Sequence, residues 1–354
     1  MNMKSYTKAI IILLGLSVIY AACIDEIAFD IASEETSVVV EGLISTELQE
    51  YAVKVNESTI LGIGIDNIKS PISGATVQVI DDSGVSVSFT EDVEEAGTYI
   101  AEMQGIVGKS YHVEVTLPNG NLITSAPEKI LPPIQIDSIP IRIEEVSGLN
   151  ASGNSEITAF VIAEANFEFD PADPPYLRWR VYGEYEFLEL YPGAFDLFRC
   201  YVTDFIDFNN LALLDGTDVE GNRVENKEVV RTLLNRRFNS IYGFMVSQYR
   251  ISKKEHEYWS NVDQLINIDG TIFDPPPASI VGNLTNMNNP EELIQGYFSV
   301  VSSDFKRQFV ETGDLGFFVQ TNCTGFSFRP NPPECADCRL IRNSTRDKPP
   351  YWPF

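Results

Sequence analysis

The chain has 354 residues, 51 of them acidic and 25 basic, for a net charge of −26 at pH 7. A surface of that sign repels phosphate backbones, so no nucleic-acid partner is expected. Hydrophobic residues make up 44% of the sequence, which at this length is enough apolar surface for two domains with proper cores.

At the N-terminus, Lys4 and Lys8 precede an apolar run over residues 9–19. That run is too short to cross a hydrocarbon layer of about 30 Å, which takes roughly 20 helical residues. It fits the h-region of a signal peptide, about 7–15 residues long. Residues 1–22 therefore read as a signal peptide. The Ala21-Ala22-Cys23 junction resembles a bacterial lipobox, with Tyr20 where leucine is usual. Cys23 is then the acylated N-terminus of the mature chain, and the competing reading is ordinary secretion with a free Cys23. Each buried CH₂ of an acyl chain contributes about 0.8 kcal/mol, and two or more chains anchor stably. Residues 23–36, with Asp25, Glu26 and Asp30, read as a tether, and their acidity resembles the surface-export signal of Bacteroidota lipoproteins. No later run has the length and apolarity of a transmembrane helix.

From residue 37 the pattern is β. Residues 37–42, 51–56, 74–80, 85–89, 97–100, 111–117 and 122–124 are short, mostly alternating and bounded by Gly, Pro, Asn and Asp. About seven such strands predict an immunoglobulin-like β-sandwich over residues 37–131. Leu131-Pro132-Pro133-Ile134 is a stiff linker, because each proline fixes its own φ and restricts its predecessor. A larger β-rich domain with one or two helices is expected over residues 132–354. Its predicted strands include 134–143, 157–169, a long aromatic segment at 176–190 broken at Gly183, and 238–251. Residues 145–155 and 214–230 read as polar loops.

Ser252-Lys253-Lys254-Glu255 has the capping-box spacing, with Ser252 as N-cap and Glu255 placed to reach back. Tyr258, Trp259, Val262, Leu265 and Ile266 follow on one helical face, which predicts an amphipathic helix near 252–268 packed on a sheet. Further strands are expected at 280–284, 296–301 and 305–310. The Pro-rich tail ends Tyr351-Trp352-Pro353-Phe354.

Besides Cys23, four cysteines remain: Cys200, Cys323, Cys335 and Cys338. An even number in an exported chain points to disulfides, with three connectivities open. Cys335 and Cys338 have CxxC spacing. A zinc site would need further ligands, and a redox motif would normally open a helix after a strand, so structural disulfides that staple the tail are the expectation. No metal and no cofactor are expected.

No catalytic set is visible. Nucleophilic catalysis by serine or cysteine needs a positioned base, and the two histidines, His112 and His256, lie in an alternating strand and in the first turn of the predicted helix. Paired carboxylates for glycoside hydrolysis cannot be picked out among 51 acidic residues. Residues 215–222 depart from an EF-hand loop and read as a solvated turn. Tyr182, Tyr185, Phe187 and Tyr191 read as core residues of an alternating strand, with a ligand-binding platform as the competing reading.

Several stretches together resemble one family: the lipobox-like start with Val38-Val39-Val40-Glu41-Gly42; Ser73-Gly74-Ala75-Thr76-Val77; Tyr176-Leu177-Arg178-Trp179-Arg180; residues 252–259; residues 273–277 with Gly282-Asn283; Gly296-Tyr297-Phe298; and Cys335-Ala336-Asp337-Cys338-Arg339 with Lys348-Pro349-Pro350-Tyr351-Trp352. The chain is similar over essentially its whole mature length to the Bacteroidota lipoprotein family described as domain of unknown function 4249. The resemblance implies an accessory lipoprotein beside a TonB-dependent outer-membrane transporter, and it carries over no catalytic residue. The expectation is a non-catalytic, lipid-anchored protein of the outer membrane, facing the cell surface, that binds a ligand or partner. A surface hydrolase using paired carboxylates and a structural or adhesive surface protein are the competing readings.

Overall fold

The computed structural model describes residues 37–58, 70–149, 152–190, 198–206, 211–267, 280–316, 319–323 and 331–353. The signal-peptide segment, Cys23, the 23–36 tether, Tyr191 and Gly270 lie outside the described residues. The chain is mainly β, as the period-two alternation dictates.

Nine strands come first: β1 (Ser37–Ile44), β2 (Gln49–Ser58), β3 (Ser70–Pro71), β4 (Thr76–Asp81), β5 (Ser86–Glu91), β6 (Thr98–Met103), β7 (Ser110–Thr116), β8 (Leu122–Ser125) and β9 (Glu128–Lys129). Strand β5 pairs with β4 through Ser86–Phe89 and with β6 through Thr90 and Glu91. The sheet turns at that point and folds over itself into the two layers of an immunoglobulin-like sandwich. Val40, Val53 and Val55 from one layer meet Val77, Val79, Val113 and Val115 from the other, and these side chains are at most 1% exposed. Each fully buried aliphatic side chain stabilises the body by about 1.5–3 kcal/mol.

The sandwich also draws on chain from beyond residue 131. Two later strands, β18 (Leu284–Asn286) and β19 (Phe298–Val300), close its edges. Strand β18 pairs antiparallel with β8, and β19 pairs parallel with β1. Leu284, Ile294, Phe298 and Val300 belong to the first core.

The second body packs two sheets face to face. One comprises β10 (Ile136–Ser138), β11 (Ile141–Leu149), β12 (Ser155–Glu168) and β16 (Arg223–Leu233); the other comprises β13 (Tyr176–Leu188), β14 (Arg199–Asp204), β15 (Leu213–Asp215), β17 (Ile241–Ile251), β20 (Ser302–Glu311) and β21 (Ser344–Thr345). Val161, Ala163, Ala165 and Phe167 face Leu177, Trp179, Val181, Phe244 and Val246 across the second core.

Three expectations about this body are corrected. The polar loop at 145–155 is mostly hairpin, because β11 runs to Leu149 and β12 starts at Ser155, paired residue for residue. Its outer end is exposed on both faces, so burial imposes no apolar alternation there. The loop expected at 214–230 contains much of β16, which is held to β12 by its ladder and by the Arg223–Glu168 ion pair at 2.6 Å, and tied to β11 by Arg231–Glu144 at 2.9 Å. Strand β13 also runs unbroken through Gly183, where a Cβ would stand 1.9 Å from the Tyr242 hydroxyl. The glycine makes room for a core tyrosine and does not break the strand.

One α-helix, α1 (Lys253–Ile266), follows β17 among the described residues. Ser252 caps it, its Oγ accepting from the Glu255 N–H at 3.1 Å. The expected apolar stripe is only half-buried, and Ile266 is exposed. The buried residue of the helix is Glu255.

Candidate functional site: the seam and cleft between two β bodies

Among the described residues the chain passes from the first body to the second at two places. Residues 130–135 lead from β9 to β10, and Val301 alone separates β19 in the first body from β20 in the second. The linker prolines have no N–H, yet carbonyls of the linker accept. Arg250 Nη1 donates to Pro132 O at 3.0 Å, and Gln248 Nε2 donates to Ile134 O at 2.7 Å. Ser303 N donates to Thr46 Oγ1 at 3.2 Å, and the Ser303 and Ser45 hydroxyls lie 3.1 Å apart.

Most of the stretches that carry the family resemblance meet at this seam. Val40 N donates to Gln295 O at 3.0 Å, and Gly42 N to Tyr297 O at 3.3 Å. A Cβ at Gly296 would stand 2.1 Å from Val40 O, and one at Gly282 would stand 1.8 Å from Gly296 O. Gly296 also has φ +94, a conformation open mainly to glycine. Asn283 brackets Phe298, its Nδ2 donating to Phe298 O at 2.9 Å and its Oδ1 accepting from Phe298 N at 3.0 Å. Close backbone approach explains these small and amide residues.

Beneath them lies a buried polar cluster. Glu128 Oε1 accepts from Ser252 Oγ at 3.1 Å and from the Tyr297 hydroxyl. Glu255 does not reach back to its cap as the sequence spacing predicted. Its Oε1 accepts from Ser299 Oγ at 2.7 Å and Trp259 Nε1 at 3.1 Å, with Arg178 Nη2 at 3.7 Å. The Arg178 guanidinium lies over the Trp259 ring at 4.3 Å and the Tyr249 ring at 5.7 Å. Burial pushes the Glu128 carboxyl up to about 7, with the Tyr297 hydroxyl opposing and the Glu255 charge adding to the rise. Burial also raises the Glu255 carboxyl, opposed by the Arg178 charge. Glu128 Oε2, Glu255 Oε2 and Arg178 Nε have no hydrogen-bond partner. The cluster can hold a proton near neutrality, but it is walled in by both bodies.

Beside the seam, an open cleft of about 490 Å³ is lined by Ser45, Glu47 and Gln49 from the first body. Opposite them, Arg180, Tyr182, Ser247, Tyr249, Phe305 and Arg307 come from the outward face of the second body. Strand alternation places them there: Leu177, Trp179 and Val181 point into the core, so Arg178, Arg180 and Tyr182 point away from it. Of the four aromatics considered from sequence, Tyr182 lines this cleft. Tyr185 packs against the second core, and Phe187 is buried with Cys200 and Cys338. The cleft presents guanidinium, phenol, phenyl and hydroxyl groups, with Glu47 as its one carboxylate among the described residues. Arg307 stacks over Phe305 at 4.6 Å and Tyr351 at 4.0 Å. That arrangement suits recognition by stacking and charge-assisted hydrogen bonds. A larger cavity of about 740 Å³ lies between the sheets of the second body. Its arginines are paired, Arg231 with Glu228 and Glu144 and Arg237 with Asp204.

The tail closes the lower part of the same outward face. Disulfides join Cys200 to Cys338 and Cys323 to Cys335, so the two CxxC sulfurs have different partners. Three acidic residues on and just beyond β13 hold the tail, an arrangement the sequence reading missed. Tyr351 donates to Glu184 at 2.8 Å, Trp352 Nε1 to Glu186 at 3.1 Å, and Cys338 N with Arg346 Nη2 to Glu189 at 2.7 and 2.6 Å. The alternation Glu184-x-Glu186 beside a terminal Tyr-Trp pair was the available signal. Glu189, Cys200 and Cys338 lie close enough to ligate a metal, but both sulfurs are in the disulfide and Glu189 is paired. His112 Nε2 lies 3.6 Å from Glu114, and the His256 ring packs 5.2 Å from that of Tyr176. Asp215 Oδ1 accepts from Thr217 N at 2.8 Å and Thr217 Oγ1 at 2.6 Å within a turn.

These features define a mainly β protein of two packed bodies with a mixed aromatic and cationic cleft where they join. The sequence matches the family described as Domain of unknown function (DUF4249) over residues 24–307, and the chain belongs to that family. No curated protein matches it.

Proposed function

We propose that this protein is a non-catalytic accessory lipoprotein of the bacterial cell envelope. In this reading Cys23 carries the lipid, the anchor lies in the outer membrane of a member of the Bacteroidota, and the chain faces the cell surface. The β bodies bind a ligand or partner for a TonB-dependent transporter. The observation that carries the reading is the lining of the cleft, where recognition groups surround one carboxylate among the described residues. Hydrolysis of a glycoside by the paired-carboxylate route would need a second carboxylate there. The N-terminal apolar run ending at Ala21-Ala22-Cys23 supports the anchor.

The test has two arms. The Cys23→Ser variant is expected to lose acyl labelling and leave the membrane fraction; unchanged labelling and retention would remove the anchor. Crosslinking on intact cells is expected to capture an outer-membrane transporter at endogenous levels. A clean preparation without one would remove the accessory role.

A further inference from the structure

We propose that the cavity between the two sheets of the second body binds an apolar monocarboxylic acid, with the carboxylate on the Lys227 amine and the hydrocarbon against Trp179, Val181, Ile206 and Val230. The site is distinct from the cleft at the seam, although Phe205 borders both. The inference therefore goes beyond the reading above.

The strand ladder sets the direction of Lys227. It stands opposite Ala165 on β12, as Val230 stands opposite Ala163. Both alanines belong to the second core, and residues paired across a ladder point to the same face. The Lys227 side chain is therefore directed between the sheets, where it is half-buried and lines the cavity. Its pairing is the second ground. The two arginines of the lining have carboxylates at ion-pair distance, Arg231 with Glu228 at 2.8 Å and Arg237 with Asp204. Among the described residues the Lys227 amine has no ion pair and no hydrogen bond. Glu228 acts on it through charge. Consecutive strand residues point to opposite faces, however, and Glu228 stands opposite Glu164 on the outer one, where it holds Arg231. Burial is the largest influence on the amine and lowers its pKa, with the Glu228 charge opposing. That is the mark of an ammonium that has lost water without gaining a close partner.

Size, walls and charge narrow the class. About 740 Å³ falls within the range of small-molecule sites. Trp179, Val181 and Ile206 are buried residues of the second core, so the wall is apolar and fixed by packing. Strand β16 pairs with β12 alone among the described residues, which leaves its other edge open. Phe205 and Leu233 line the same cavity and are exposed, so an apolar ligand meets apolar side chains as it enters. The amine is a compact point charge, which a single carboxylate balances. A phosphate monoester would bring a second charge into apolar surroundings unpaired, a neutral ligand would leave the ammonium desolvated without return, and a cation would be repelled. The hydrocarbon can be an aliphatic chain or an aryl group, and the probes separate the two.

The experiment titrates full-length protein in detergent with hexanoate against hexanamide, and with 3-phenylpropionate against 3-phenylpropanamide, by calorimetry and ligand-observed NMR, with protein-free detergent as the blank. At least one acid is expected to bind at least about tenfold more tightly than its amide, as charge-assisted hydrogen bonding implies. Lys227→Met keeps the apolar stem without the charge. It is expected to weaken that acid by about tenfold and leave its amide unchanged, with near-UV circular dichroism as in the parent. Lys227→Gln should do the same, and keeps the test sound if methionine fills the cavity. Preference for hexanoate assigns an aliphatic acid, and preference for 3-phenylpropionate an aryl-bearing one. No binding by either acid at millimolar concentration, equal binding of acid and amide, or Lys227 variants that bind the acid as tightly as the parent would each overturn the proposal. Any of these with acyl labelling and transporter capture intact removes this site alone and leaves the accessory role standing.

Discussion

Glu128 offers the sharpest test of the seam. Its carboxyl is raised to about 7 from an ordinary 4.5, with burial as the largest cause. The groups facing it are Tyr297 and Ser252, which hydrogen-bond to it, and the charges of Glu255 and Lys254. Because the folded state holds the proton up to a higher pH than the unfolded chain, the fold binds more protons between pH 4.5 and 7. Stability from this group is full below the unfolded value and declines as pH rises through the folded one, levelling off above it. A difference of 2.5 units at about 1.36 kcal/mol per unit predicts a loss of about 3 kcal/mol across that window. Glu128→Gln keeps an oxygen to accept from Tyr297 and Ser252 but cannot ionise. It also buries amide hydrogens where Oε2 has no partner, which costs about 1–3 kcal/mol at every pH. The readout is therefore the slope. Urea unfolding followed by tryptophan fluorescence at pH 5, 6, 7 and 8 should show the parent losing about 2.5 kcal/mol more than the variant between the extremes. Parallel pH profiles for the two proteins would refute the account of Glu128 as a buried proton holder.

Four other outcomes follow from named contacts. By loop entropy, removing Cys200–Cys338, which spans 138 residues, should lower stability by about 5 kcal/mol, against about 3 kcal/mol for Cys323–Cys335, which spans 12; thermal melts of the paired alanine variants should rank in that order. Trp352→Ala removes a buried ring packed on Tyr201 and Phe309 at 5.2 Å each, and should lose about 3–5 kcal/mol and make the tail susceptible to limited proteolysis. Gly183→Ala should destabilise by at least about 1–3 kcal/mol through overpacking, and Tyr242→Phe in the same chain should restore part of the loss in a double-mutant cycle, because the nearest clash is with the Tyr242 hydroxyl. Ser252→Ala should cost about 1–2 kcal/mol as a lost cap, with a further effect on the pH slope because the same hydroxyl bonds Glu128.

Much of the local structure was legible in the residues. Alternation over residues 37–124 marks strands because one face of each is buried, and the Ser252 cap marks the start of α1 because it satisfies an N–H within its own first turn. Strand β16 and the outer hairpin of β11 and β12 were not legible, since cross-strand pairing and ion pairs hold them with little burial to write an apolar period. The direction of Glu255 was hidden for a related reason. Its spacing fits a capping box, but Ser299 and Arg178, which draw it inward, lie far from it along the chain. Of the candidate cleft, only Tyr182 stands out in the sequence, by its place in an aromatic-rich alternating segment.

The sequence by itself determined the β class, the Pro132-Pro133 crossing, the capped helix and an even set of cysteines after Cys23, because each depends on local geometry or composition. The tertiary structure decided the return of β18 and β19 to the first sandwich, the pairing of Cys200 with Cys338 and Cys323 with Cys335, and the meeting of Arg180, Tyr249 and Arg307 across three strands from Ser45. These depend on which distant segments share an edge or a face. Alternation tells a strand which side to bury, and it leaves its neighbours to be chosen by packing.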